Sequence, residues 1–436
     1  MPTTRGLALL GGGVLLWLVG RVLGIAELNV VAVTAVAVVV AGCAAVRIGS
    51  TSLAVRRSVA TGRLWPDTAV DVVLHLRNQQ RLPTGLLLVS DDVPARLAAD
   101  PRFVVPGLAG GAATSLRYSL VGHARGRYAI GPVAVRVRDP FGTAEHVRRC
   151  GDVDEVLVYP RVEPLAGSAV RGASRGSGSS ATRRLLASGD EFYTMREYVT
   201  GDDLRQVHWP STARRSTLMV RQQEQPWQAQ ATTLLDLRAV VHRGAGPDST
   251  LEHAISAAAS IVWHLAERGY EQRLVTDSGA GSTRAEPWPR LLERLAEASP
   301  SDTVSLAPVL QRLRGTGAAG LLAAVVAPPP ARRTQGPGRR GPDEPLARHP
   351  EVQALLQAGR AFDERVALVV APVAGSERAE ALAALLDATG WRAATIAPRT
   401  PVADTWQALL ARRRATGGSA FQPDPDRRPA AEQATS

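Results

Sequence analysis

Two apolar runs open the chain. Residues 6–20 (GLALLGGGVLLWLVG) are followed by Arg21 and then by the apolar residues 22–26, and residues 28–46 form an uncharged run rich in valine and alanine. About 20 apolar residues cross a bilayer core, so each run can span if Arg21 snorkels to the interface. The link between them is only a few residues long, which predicts a helical hairpin. From residue 52 to about 160 the period changes to two, in short alternating segments at 69–78 (AVDVVLHLRN), 85–90, 114–121, 127–130, 133–139 and 155–159. Strands of this length at this spacing predict an antiparallel sandwich. A glycine- and serine-rich stretch at 166–182 then reads as a flexible linker. Beyond it, apolar strand runs at 231–237, 272–276, 321–327, 366–373 and 391–396 alternate with helical patterns at 251–268, 291–298, 376–389 and 402–413. That alternation predicts a mainly parallel sheet with both faces covered.

The fold class expected is therefore multidomain: a transmembrane helical hairpin, a β-sandwich, and a doubly wound α/β domain. The boundaries expected are two transmembrane helices in 1–50, the sandwich in 51–165, the linker in 166–188 and the α/β domain in 189–414, followed by a disordered tail in 415–436. Residues 328–350, heavy in proline, glycine and arginine, are expected to be a disordered insertion into the α/β domain.

Charge sharpens the picture of where the chain sits. The formal net charge is +11, and every basic residue is arginine, since the chain has no lysine. Lysine Schiff bases and P-loop or kinase-type lysines are thereby excluded. Residues 1–65 carry six arginines against Glu27 alone, and 328–350 and the tail from Arg412 hold most of the remaining excess. The folded middle is nearly neutral, so a basic nucleic-acid groove is not expected. Arg5 precedes the hairpin and Arg47, Arg56 and Arg57 follow it, which by the positive-inside rule puts both ends in the cytoplasm. The expected location is a cell membrane, multi-pass, with the bulk of the chain cytoplasmic. With only Cys43 and Cys150, no disulfide framework or cysteine-based zinc site can be built. His75 and His123 lie on strand patterns and read as satisfied polar side chains.

Residues 189–224 (GDEFYTMREYVTGDDLRQVHWPSTARRSTLMVRQQE) concentrate charged and aromatic side chains as no other stretch does. Gly201 and Asp202 form a helix-start signal, with a short helix expected within 203–214 and a strand at 218–221. Three chemistries compete for the segment. Asp202, Asp203, His208 and Glu191 could hold a divalent metal, the basis of an alternative reading as a metal-dependent hydrolase. His208 with Asp203 and Ser211 could serve acyl transfer, but no nucleophile elbow surrounds the serine. Arginines and carboxylates could instead pair into a network that locks the segment onto the domain, and this is the reading adopted. No catalytic residue is assigned.

At these residues the chain resembles the bacterial membrane proteins called domain of unknown function 58. The resemblance rests on Gly189, Asp190, Glu191, Arg196, Tyr198, Gly201, Asp202, Arg205, His208, Trp209, Ala213, Arg214, Leu218, Val220 and Arg221, and extends to the RGRYAIGP stretch at 125–132 and the DPFG turn from Asp139. It implies an immunoglobulin-like domain followed by a von Willebrand A-like domain on a membrane anchor. It also implies a protein partner, a MoxR-type AAA+ ATPase often encoded beside such proteins, and a role in assembling or maturing other proteins. Asp190, Glu191, Arg196, Tyr198, Gly201, Asp202, Arg205, His208, Trp209, Arg214 and Arg221 become candidate interaction residues. One departure bears on cofactors. A magnesium-binding von Willebrand A domain puts Asp-x-Ser-x-Ser after its first strand, where one aspartate and two hydroxyls reach the ion. This chain reads Asp236, Leu237, Arg238, Ala239, Val240. Arginine at a hydroxyl position repels a cation, so no metal and no other cofactor is expected, and Asp236 is left to pair with Arg238 or to cap the next element. The function expected is a membrane-anchored, cytoplasm-facing scaffold or adaptor rather than an enzyme.

Overall fold

Helix α1 (Thr4–Leu23) begins where the Thr3 hydroxyl accepts a hydrogen bond from the Gly6 amide at 3.2 Å, and stops at Gly24, whose φ of 70° only glycine adopts freely. Helix α2 (Ala26–Thr51) returns alongside it. In this computed structural model the described residues are 1–51, 53–97, 100–166, 193–198, 207–215, 217–223, 229–278, 282, 284–315, 320–331, 333–336, 339–343 and 345–416. They divide into two compact units, Met1–Arg161 with Leu292–Ala298, and Val162–Leu291 with Ser299–Ser436.

The hairpin packs through small side chains. Gly6, Gly13 and Gly20 are the buried positions of α1, and Ala32, Val39 and Val46 are buried on α2. Both sets recur every seven residues and so lie on one stripe of each helix: Gly13 and Gly20 meet α2 and the turn before it, while Gly6 meets Thr143 and Val46 meets the strands that follow. A side chain at Gly13 would press on the Ala32 carbonyl oxygen. Thr4–Leu23 and Ala26–Ile48 are each long and apolar enough to cross a membrane. The last turns of α2 belong to the next layer: Val46 is buried in one sandwich core, with Cys43 packed against it.

That sandwich is built from β1 (Leu53–Val59), β2 (Arg63–Leu64), β3 (Ala69–Asn78), β4 (Leu86–Asp91), β5 (Arg102–Val105), β6 (Ala113–Val121), β7 (Gly126–Ile130), β8 (Val133–Arg138), β9 (Glu145–Cys150) and β10 (Asp154–Val158). Sheet β1-β3-β6 and sheet β5-β4-β8-β9 are antiparallel throughout, and a third sheet runs β2-β10-β7. Alternate residues of β3 point inward, so Leu74 and Leu76 meet Leu87, Val89, Val133, Val135 and Val137 in one core. Val70 and Val72 share a second core with Leu64, Leu120, Ile130, Val156 and Val158. Between the sheets Arg57 is fully engaged, donating to Asp91 at 2.6 and 2.9 Å and to Asp154 at 2.7 Å, while Tyr118 donates to Asp91 at 2.6 Å. Burial, reinforced by the Asp91 hydrogen bond, holds the Tyr118 phenol well above its ordinary pKa.

After Arg161 the elements are β11 (Tyr193–Glu197), α3 (Trp209–Arg215), β12 (Met219–Gln223), β13 (Gln230–Leu235), α4 (Thr250–Ala266), β14 (Glu271–Thr276), α5 (Trp288–Glu297), α6 (Ala307–Gly315), β15 (Leu321–Val326), β16 (Arg333–Gly336), β17 (Arg339–Asp343), α7 (Pro350–Gly359), β18 (Glu364–Val370), α8 (Glu377–Ala388), β19 (Arg392–Ile396) and α9 (Val402–Thr416). Five strands form an all-parallel sheet in the order β14-β13-β15-β18-β19. The central strand β15 (LLAAVV) is buried at every position, as a strand covered on both faces must be. Its Leu322, Ala324 and Val326 pack with α6, α7 and α8, and Leu321, Ala323 and Val325 point to the opposite face. Helix α4 starts on a serine N-cap, in which the Ser249 hydroxyl accepts from the Glu252 amide at 3.2 Å. Within 328–350, expected to be disordered, β16 and β17 pair as a short antiparallel hairpin, and α7 begins at Pro350.

Candidate functional site

The motif segment folds as a hairpin with a helix between its strands. β11 pairs antiparallel with β12, so that Arg196 lies opposite Val220 and Met195 opposite Arg221. His208 is fixed between them: its amide donates to the Met219 carbonyl at 2.8 Å, and its carbonyl accepts from the Ser211 and Thr212 amides, both at 3.1 Å. The imidazole then turns onto the first turn of α3, with Nδ1 2.8 Å from the Ser211 hydroxyl. This is a helix cap, and the Thr212 hydroxyl continues it by accepting from the Met219 amide at 3.0 Å. His208 and Ser211 are thus brought together, but by the i, i+3 geometry of a helix start.

Trp209 opens the helix and is 69% exposed; Arg214 and Arg215 close it, also exposed, and α3 buries none of its residues. The inward side of the segment is Val207, Met219 and Val220. Tyr198 is half-buried, its amide bonded to the Leu218 carbonyl at 2.8 Å. Asp190, Glu191, Gly201, Asp202, Asp203 and Arg205 lie outside the described residues. Among the described residues, no three His, Cys, Asp or Glu side chains gather as a metal set. His75 and His123 each have a partner, the Ser115 hydroxyl at 3.0 Å and Asp67 at 3.1 Å.

A second location follows from the sheet itself. In an open parallel sheet of this strand order, the crevice outside the carboxyl ends of the strands, where the winding reverses, is where ligands bind. Here that crevice lies between the ends of β13 and β15, at Asp236 to Arg238 and at Ala327. It is filled by an arginine. Arg238, wholly buried, donates Nε and Nη2 to the two oxygens of Asp236 at 2.9 and 2.8 Å, and Nη1 to both oxygens of Glu351 at 3.0 and 2.8 Å. Asp236 also accepts from the Arg238 and Ala327 amides, and its carbonyl is 2.8 Å from His242 Nε2. Of the two arrangements open to Asp236, the pair with Arg238 is the one present. Burial pulls the Arg238 pKa down, but the bonds and charges of Asp236 and Glu351 outweigh it and hold the guanidinium above its ordinary value. The crevice therefore carries a permanent internal cation, and Asp277 closes its side by accepting from the Leu237 amide at 2.7 Å.

Sequence reasoning placed Asp236 and Arg238 but missed Glu351, which lies 113 residues beyond Arg238 and caps no motif. The one local signal was Pro350 after His349, a helix start hidden at the end of a proline-rich stretch.

Comparison with known proteins adds a family match over one segment and little else. No curated protein matches the chain. Among solved structures it is similar to the CARDB domain of the PF1109 protein from Pyrococcus furiosus in complex with di-metal ions, with 14% identity and a TM-score of 0.19 over 24% of this chain and 86% of that one. It is also similar to the sporulation control protein Spo0M from Bacillus subtilis, with 12% identity and a TM-score of 0.16 over 24% of this chain and 49% of that one. At these scores neither likeness carries an argument. The family model described as "Protein of unknown function DUF58" matches residues 194–313, which contain the His208 cap, α3 and the Asp236–Arg238 pair. Over that segment the chain is similar to the DUF58 family.

Proposed function

We propose that the chain is a membrane-anchored scaffold that docks another protein through the exposed face of α3. The hairpin is its anchor, an immunoglobulin-like sandwich its spacer, and a von Willebrand A-like α/β domain its cytoplasmic binding body. The observation that carries the reading is Trp209, 69% exposed on a helix that buries none of its residues. A large aromatic held in water on a short helix that ends in two arginines has the composition of an interface, where tryptophan and arginine dominate binding energy. Arg214 and Arg215 at the C-terminal end of α3 call for an acidic rim on the partner. The sequence resemblance supplies the partner class, an AAA+ ATPase of the MoxR type. The crevice supports the same reading, because its ligand position is occupied by the chain's own Arg238.

The test is in-cell crosslinking of the full chain from a photoreactive residue at Ser211, followed by recovery in mild detergent. Capture of an ATPase of this class is expected, and Trp209→Ala combined with Arg214→Glu should lower it by about tenfold or more. Recovery of no stable partner, or capture indifferent to these substitutions, overturns the proposal.

A further inference from the structure

The hairpin and the sandwich meet at one end of the strands. Three loops gather there: 79–85 between β3 and β4, 106–112 between β5 and β6, and 139–144 between β8 and β9. The third is wedged against the base of the hairpin. Asp139 folds it, accepting from the Phe141 amide at 3.2 Å, the Thr143 hydroxyl at 3.0 Å and the Ala144 amide at 2.7 Å. The loop in turn holds α1, since the Thr3 amide donates to the Thr143 carbonyl at 2.8 Å and the Thr3 hydroxyl to the Gly142 carbonyl at 2.7 Å. A side chain at Gly6 would collide with the Thr143 carbonyl oxygen, and one at Gly42 would press on the Thr143 hydroxyl and Asp139. Loop 79–85 touches α2 through Gln80, whose side-chain Nε2 donates to the Ile48 carbonyl at 3.1 Å, and is tied to loop 106–112 by the bond from the Gly111 backbone amide to the Gln80 carbonyl at 2.9 Å.

Helix length then places the bilayer. From Gly6 to Leu23, and from Ala26 to Gly42, each helix rises about 25 Å at ~1.5 Å per residue, against a hydrocarbon core of about 30 Å. A hairpin that spans the core cannot keep the 139–144 loop clear of it. The exposed side chains at this end suit that position. Phe141 is 71% exposed and Leu82 67%, on two different loops, while Arg5 beside Gly142 and Arg81 beside Leu82 are exposed and positively charged. Apolar tips flanked by arginine are what a headgroup interface takes up.

We infer that this end of the sandwich lies in the headgroup layer of the leaflet where both hairpin ends emerge, with Phe141 and Leu82 inserted toward the acyl chains and Arg5 and Arg81 at the level of the lipid phosphates. The inference rests on the reading that the hairpin crosses a bilayer, and its test separates the two. The full chain carrying Cys43→Ala and Cys150→Ala is reconstituted into phosphatidylglycerol-containing nanodiscs with one environment-sensitive thiol label, introduced by Phe141→Cys, Leu82→Cys, Val14→Cys or Val153→Cys. Val14 lies in mid-helix, and Val153 is exposed in the turn between β9 and β10, at the end of β9 opposite the 139–144 loop. Lipids brominated near the headgroup should quench the labels at 141 and 82 at least about twofold more than the label at 153. Because Leu82 lies on a separate loop, disturbance of the 139–144 turn by the Phe141 change does not decide the outcome. Quenching at 14 with none above the 153 level at 141 and 82 overturns the inference and leaves the span intact. Absence of quenching at 14 by deeply brominated lipid removes the span, and the inference with it.

Discussion

The crevice at the end of β13 and the helix α3 lie in the same compact unit and are opposites in how they treat charge. Arg238 has no exposure, and every nitrogen of its guanidinium is bonded to a carboxylate. Arg214 and Arg215 stand in water on a helix with no buried face. The same residue type therefore does structural work in one place and is available for contact in the other. The location where the fold would ordinarily take a ligand is closed by the chain itself, and the location left open is one that the fold does not need for its core.

The sharpest way to break that contrast is to empty the crevice. Arg238→Met leaves Asp236 and Glu351 as buried carboxylates without a countercharge, and removing one partner of a buried ion network costs about 3–5 kcal/mol. Urea unfolding of the detergent-solubilised full chain should show that loss. Arg238→Lys should recover only part of it, because an ammonium cannot reproduce the two-sided fork. A loss below about 1 kcal/mol would mean that water reaches both carboxylates, and the crevice would then have to be read as an open site.

The closed side also contains a group that titrates. His264 on α4 is buried against the edge of Trp406, with ring centroids 5.4 Å apart, and receives Arg268 Nη1 at Nδ1 over 2.9 Å. Burial, with the Arg268 charge added, pushes its pKa down to about 4 from 6.5. The folded state thus prefers the neutral ring. Above pH 6.5 this contribution to stability is complete; between about 6.5 and 4 the unfolded chain binds the proton first and stability falls, and below about 4 both states are protonated and the slope ends. The expected loss across that window is about 3 kcal/mol. His264→Phe should flatten the dependence of the urea midpoint on pH in this range, and an unchanged slope would show that His264 is not held neutral.

How much of this was legible beforehand follows from distance along the chain. β3 was readable at 69–78 because its alternation is unbroken and its inward positions are all apolar except the terminal Asn78. β9 (EHVRRC) and β1 (LAVRRSV) were not, since paired arginines interrupt the pattern. Both are edge strands, where one side is free and charge is tolerated. α7 was hidden because its first residue is a proline at the end of a proline- and arginine-rich stretch, which reads as linker although proline suits the first turn of a helix. The motif around His208 could be located because its residues are neighbours in sequence. Its exposure could not, because exposure depends on what fails to pack against α3. The crevice was half legible: Asp236 and Arg238 are two residues apart, while Glu351 reaches them only through the winding of the sheet.

The smallest expected effect tests the open side of the contrast. If α3 is a contact surface with no part in the core, Trp209→Ala should change the unfolding free energy by no more than about 0.5 kcal/mol, as surface substitutions away from caps and networks do. His208→Ala provides the internal reference. It deletes the imidazole that caps the helix through Ser211 and should cost about 1 kcal/mol. If the order is reversed, so that Trp209→Ala destabilises more than His208→Ala, the indole is buried against part of the chain itself. α3 would then join Arg238 on the closed side, and the distinction between a sealed crevice and an open helix would disappear.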